Sequence, residues 1–182
     1  MSKYLIVFLC VLMSACQADD SINRDYVCRF VFDTSLHPLP CQLTGILGNT
    51  GHFCKIESNY VSGVRHLKST RNYDGAVEDI ILRTEKERQT TIALGANNCL
   101  IIGTSSYENR LIVYDGQCAN CLTDYNGTNY PLTWQKNGLQ LYCAKCKRSY
   151  DVNNGVVSDG TGGRQLLTYA VSFDGTLLRA WN

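Results

Sequence analysis

Neither sign of charge is in excess in this chain. Lys and Arg number 17 and Asp and Glu 16 among 182 residues, a net of +1. Without a basic excess, the electrostatic term that holds a nucleic-acid backbone is missing, so no nucleic-acid partner is expected. Low-complexity tracts, internal repeats and linkers are absent from residues 25–182, which excludes a repeat array and argues for one domain there. Disorder is excluded by composition: 45% of residues are hydrophobic and 18% charged. Long hydrophobic runs are also lacking. The apolar run at 4–13 (YLIVFLCVLM) has ten residues, half of the roughly 20 that a membrane-crossing helix needs, and no later run is longer. What is abundant is cysteine, with 10. A chain of this length buries a core without a disulfide scaffold, so the cysteines call for an explanation by position.

Cys10 and Cys16 belong to the N-terminal segment. Lys3 supplies a short positive region, residues 4–13 an apolar one, and Ser14-Ala15 a small-residue end. This is the layout of a secretory signal peptide. The small residues followed by Cys16 resemble a bacterial lipobox, although Met13 departs from that pattern. The resemblance implies cleavage after residue 15 and acylation of Cys16; the alternative is ordinary cleavage. Gln17-Ala18-Asp19-Asp20 resembles the surface-export signal of Bacteroidetes lipoproteins, and otherwise reads as a solvated tether. The expectation is a signal peptide over 1–15, a lipid-anchored tether over 16–24 and one domain over 25–182. The chain is then a bacterial outer-membrane lipoprotein, surface-exposed or facing the periplasm, with the membrane as its partner. Cleavage removes one lysine and no acid, which leaves the mature chain formally neutral.

The domain reads mostly as strands. Candidates are residues 26–33, 51–57, 63–67, 98–104, 110–114, 139–142, 165–173 and 177–181, rich in β-branched and aromatic residues and separated by Gly, Asn and Asp. Such short, closely spaced strands predict an all-β antiparallel sandwich or barrel. Residues 35–40 are irregular because Pro38 and Pro40 restrict the residues before them. Residues 76–91 are either a short helix or a charged edge hairpin.

The chemistry is concentrated in Cys118-Ala119-Asn120-Cys121 and Cys143-Ala144-Lys145-Cys146. Two intervening residues let both thiolates of a C-x-x-C hairpin knuckle point at one ion, and two facing knuckles complete four ligands. The 21 residues between the inner cysteines slightly exceed the usual spacer of about 15–20, an excess that the turn residues at 123–127 can absorb. Thiolates are soft ligands and favour zinc or iron over calcium or magnesium. Four of them around zinc leave no open position, so the site is structural. The alternative in an exported protein is disulfides, but no thioredoxin-like helix is read after either motif. Residues 115–155 are expected to form a small metal-binding subdomain of two loops.

The same stretch resembles a Rieske iron–sulfur domain. Cys118 fits that family's first-loop cysteine, and Cys143 to Cys146 lie where its second loop stands. Tyr150-Asp151-Val152-Asn153-Asn154-Gly155 fits its Y-D-x-x-x-G stretch, with Lys147 in place of the leading glycine. Leu166-Leu167-Thr168-Tyr169-Ala170-Val171 and Asp174-Gly175-Thr176-Leu177 fit its closing strands. Residues 98–182 carry the likeness, and residues 25–97 share only β character. The chain is also similar to Bacteroidetes lipoproteins with paired C-x-x-C loops. The resemblance implies a Rieske-like fold. Both family histidines are missing, however: Asn120 and Cys146 stand at those places, and His37, His52 and His66 lie upstream. Two-histidine ligation is therefore not available from these loops. The remaining outcomes are mononuclear zinc or iron on Cys118, Cys121, Cys143 and Cys146, an all-cysteine [2Fe–2S] cluster, or an oxidised relic. The functional expectation is a non-enzymatic lipoprotein with a structural zinc site; the alternative is an electron carrier.

Other candidates carry less. Cys28 and Cys99 read as small core hydrophobes, and Cys41 and Cys54 as either core residues or a disulfide. His37 reads as a loop residue. His52 and His66 lie near Cys54 in sequence without a Cys/His catalytic signature. Gly160-Thr161-Gly162-Gly163 is a turn, because the Lys-Ser/Thr of a phosphate loop is missing. Asn126-Gly127-Thr128 matches a glycosylation acceptor, which a bacterial lipoprotein leaves idle. Tyr125, Tyr130 and Trp134 are candidates to cover the metal site.

Overall fold

The computed structural model describes residues 22–182. Cys10, the signal segment 1–15 and the proposed anchor Cys16 lie outside the described residues. Ile22 and Asn23, assigned to the tether by sequence, are tied to the domain: Ile22 bridges Thr168, and the Asn182 side-chain amide donates to the Asn23 carbonyl at 3.0 Å.

The run Cys99 to Thr104 (CLIIGT) is buried at every position, as a continuous apolar run flanked by turns suggests. It forms β6, and the molecule is arranged around it. Among the described residues, thirteen strands and three short α-helices follow in chain order: β1 Cys28–Asp33, α1 Gln42–Gly45, β2 Phe53–Val61, β3 Val64–Arg71, β4 Val77–Leu82, α2 Glu85–Gln89, β5 Ala93–Leu94, β6 Cys99–Thr104, β7 Leu111–Asp115, α3 Ala119–Asp124, β8 Leu132–Gln135, β9 Gln140–Cys143, β10 Ser149–Asp151, β11 Val157–Asp159, β12 Thr168–Phe173 and β13 Leu177–Trp181. The fold is all-β and antiparallel, as the sequence predicts. Nine strands form one sheet in the order β4-β3-β2-β6-β7-β12-β13-β1-β5, and four form a second in the order β11-β10-β9-β8.

Strand alternation sends side chains to two cores. Cys54 and Ile56 of β2, Leu100 and Ile102 of β6 and Val113 of β7 point inward, where the large sheet curls on itself. There they meet Phe30 and Phe32 of β1, Ile80 and Leu82 of β4, and Leu178 of β13. Phe53, Ile101, Ile112 and Tyr114 point outward from the same three strands. They form a second core with Leu132, Leu141, Tyr150, Val152 and Leu166, and with three of the candidate ligand cysteines. The small sheet therefore lies on the outer face of β2-β6-β7. Asn72 fixes it there. Its Oδ1 accepts from the Phe53 amide at 3.0 Å, and its Nδ2 donates to the carbonyl of Gly138, in the β8–β9 turn, at 3.2 Å.

The ambiguous stretch 76–91 contains both an edge strand and a helix. Residues 77–82 pair with β3. Thr84 then starts α2 with a reciprocal capping box to Glu87, which satisfies amides at the helix start. The sequence does not announce strands β5, β8 and β11. No helix among the described residues is long and apolar enough to cross a membrane.

Candidate metal centre

The end of β7 leads into the site along a fixed path. Asp115 is fully buried. Its carboxylate accepts from the amides of Ala96 at 2.7 Å and Gln117 at 2.9 Å, and from the Tyr169 hydroxyl at 2.7 Å. Burial nevertheless raises its pKa above the ordinary carboxylate range. The Gln117 side chain accepts from the Tyr130 amide at 2.6 Å, and the Cys118 amide donates to the Tyr130 carbonyl at 2.9 Å. Cys118 is thus anchored just before β8.

The two motifs present their sulfurs differently. The first is not the hairpin knuckle predicted from spacing. Cys118 is the N-cap of α3, and the Leu122 amide donates to the Cys118 carbonyl at 3.0 Å. A helical turn brings residues three apart to one face, and Cys121 follows Cys118 by that interval. Ala119 and Leu122 favour the helix. The second motif is a turn at the end of β9. The Lys147 amide donates to the Cys143 carbonyl at 2.9 Å, and the Cys143 amide to the Arg148 carbonyl at 3.0 Å. Lys147 closes the turn with φ +63°, a left-handed conformation uncommon outside glycine.

All four sequence-predicted ligands come together. The Sγ atoms of Cys118, Cys121, Cys143 and Cys146 lie within 4.8 Å of one another. Cys118 and Cys146 are 3.5 Å apart, and Cys121 and Cys143 3.6 Å. A tetrahedron with metal–sulfur bonds of about 2.3 Å has edges of about 3.8 Å, whereas a disulfide is about 2.05 Å long. The spacing fits ligands around one ion. Cys118, Cys121 and Cys143 are buried and Cys146 is half-buried.

Electrostatics separate the four thiols. Burial pushes Cys118 up to about 11, against the lowering effect of the Tyr150 hydroxyl. Burial, reinforced by Cys143, raises Cys121 further. At Cys146 burial also opposes ionisation, but hydrogen bonds from the Arg148 amide and guanidinium bring it down to about 7. A cation among the sulfurs supplies the charge that ionises buried thiols.

A polar network behind the sulfurs was not foreseen. The Tyr150 hydroxyl lies 3.0 Å from Cys118 Sγ and accepts from Asn120 Nδ2 at 2.7 Å. Its own proton is then free to point at the sulfur. Asn120 also binds the 160–165 loop, donating to the Arg164 carbonyl at 2.9 Å and accepting from the Arg164 amide at 3.0 Å. Gly163 permits this approach: a Cβ there would stand 2.3 Å from Asn120 Oδ1. The glycine-rich turn therefore covers the site. Tyr130 and Trp134 pack against the second core. Tyr125 is exposed, with Lys145 Nζ 4.6 Å from its ring centroid.

The remaining candidates lie elsewhere. His37 contacts Glu87 at 2.6 Å, His66 contacts Asp79 at 2.8 Å, and His52 packs on Tyr73 with centroids 4.8 Å apart. Cys28, Cys41, Cys54 and Cys99 are buried free thiols, and Cys41 and Cys54 stand here as core residues. Comparisons with known protein families, with curated proteins and with solved structures find no match for this chain.

Proposed function

We propose that this chain is an exported, non-enzymatic lipoprotein whose Rieske-like domain holds a structural zinc ion through Cys118, Cys121, Cys143 and Cys146. The observation that carries the metal reading is the convergence of four sulfurs within 4.8 Å. A binuclear cluster places two sulfides and a second iron between its thiolate pairs, which spreads the outer sulfurs beyond the edge of a single tetrahedron. The close packing here therefore favours one ion. Zinc suits a closed four-thiolate shell with no position left for substrate. The ion would clamp α3 to the β9–β10 turn and so fix the small sheet. Lys145 within the second motif and Lys147 and Arg148 just after it offset the negative charge that four thiolates bring to a divalent ion. The Rieske-like reading is supported by the antiparallel β12–β13 hairpin and by Tyr150 beside Cys118. The lipoprotein reading rests on Lys3, the apolar run 4–13 and Ser14-Ala15-Cys16.

Metal analysis of protein purified anaerobically is the test. One zinc per chain in colourless protein is expected. A visible absorption band with an EPR signal on reduction replaces zinc with a [2Fe–2S] cluster and an electron-transfer role, and protein without metal overturns the site. For the anchor, the full-length chain is expected in the detergent phase of a Triton X-114 partition, and Cys16→Ser in the aqueous phase. Equal partition of the two removes the anchor.

A further inference from the structure

The four sulfurs are unequal. Cys118 and Cys121 are 0% exposed and Cys143 1%, whereas Cys146 is only half-buried. A reagent from solvent reaches Cys146 first. A C-x-x-C motif ordinarily suggests a bridge within the motif. Here the close contacts run between motifs: Cys146 faces Cys118 at 3.5 Å, and Cys143 faces Cys121 at 3.6 Å. Each pair joins α3 to the β9–β10 turn. We propose that Cys146 is an oxidation site at which hydrogen peroxide converts the four-thiolate clamp into a Cys118–Cys146 disulfide that joins the two motifs as the ion leaves. The inference rests on the zinc reading above.

The chemistry balances in two steps. The Cys146 thiolate attacks hydrogen peroxide: an S–O bond forms, the O–O bond breaks, and the departing oxygen takes a proton from solvent to leave as water. The Cys118 thiolate then attacks the Cys146 sulfur: an S–S bond forms, the S–O bond breaks, and the second oxygen leaves as water with a second solvent proton. Two electrons pass from the two sulfurs to the peroxide. The bond needs Cys118 and Cys146 to close from 3.5 Å to about 2.05 Å. Only Cys121 and Cys143 then remain as thiolates, half of the four that a closed zinc site uses. The connection between α3 and the turn persists as a covalent bond. An exported domain thereby keeps its clamp where thiols oxidise.

The experiment uses wild-type protein shown by metal analysis to hold zinc. Hydrogen peroxide is added stepwise, zinc release is read with a colorimetric chelator, and bridges are located by non-reducing peptide mapping. Release at about one equivalent of peroxide, with Cys118–Cys146 as the main bridge, is expected; dithiothreitol and added zinc should restore the starting state. Main bridges within a motif (Cys118–Cys121 or Cys143–Cys146), or zinc retained while Cys146 goes on to sulfinic acid, overturn the proposal and leave the zinc reading standing. Protein that carries no zinc at the outset overturns both.

Discussion

Tyr150 shows how much a single hydroxyl organises at the centre. Its ring is fully buried, and its oxygen accepts a hydrogen bond from Asn120 while facing Cys118 Sγ. Tyr150→Phe keeps the ring and removes only that oxygen. Asn120 retains its bonds to Arg164, so the loss of stability should be modest, about 1 kcal/mol. The effect on the metal should be larger. Groups that orient ligands typically contribute about 10- to 100-fold in metal affinity, and a chelator competition should show a drop in that range. Unchanged affinity would make Tyr150 a packing residue only. The four cysteines were legible in the sequence because thiolate spacing is a local signal. Tyr150 and Asn120 stand in the sequence only as positions in a pattern. Their pairing crosses 30 residues, and Asn120 with Arg164 crosses 44. No local periodicity encodes such a contact.

At the scale of elements, legibility followed length and burial. In the large sheet, β1, β2, β3, β6, β7, β12 and β13 are marked by apolar and β-branched runs, whereas the two-residue β5 carries no such run. Strands β8 and β11 have four and three residues, too few for an alternation to stand out. Residues 76–91 were ambiguous because a strand and a helix lie there end to end, with Thr84 as the cap that divides them. Placing β6 was possible; seeing that it serves two cores was not, because that depends on what covers the second face. Gly103 records the covering. It pairs with Phe53 of β2, and a Cβ on it would stand 2.2 Å from the Phe53 ring and 2.4 Å from the His52 carbonyl. Backbone on one side and a buried ring on the other leave no room to yield. Gly103→Ala should therefore destabilise by about 1–3 kcal/mol, the usual range for overpacking, read as a lower urea midpoint at unchanged slope. Wild-type stability in this variant would mean that Phe53 moves freely, contrary to its complete burial.

For the whole molecule, the consequence lies in how the two cores depend on the metal. The inner core draws on strands from β1 to β13 and contains none of the four ligand cysteines. The outer core contains Cys118, Cys121 and Cys143, with Cys146 packed against it. Its small sheet has strands of three or four residues, and short strands gain little from their own pairing. The binding energy of a structural ion is folding energy for the part that it holds together. Ion removal should therefore act regionally. Under reducing conditions, with a strong zinc chelator, amide exchange should accelerate across α3, β8, β9 and β10. It should change little in β3, β4 and β13, which face only the inner core. The backbone amides of β2, β6 and β7 should show an intermediate response, because these strands lose cover on their outer face while their ladders persist. Uniform acceleration over the chain would mean that the two cores fold as one unit. No acceleration in α3 or β9 would mean that hydrophobic packing alone, and no metal clamp, holds the small sheet.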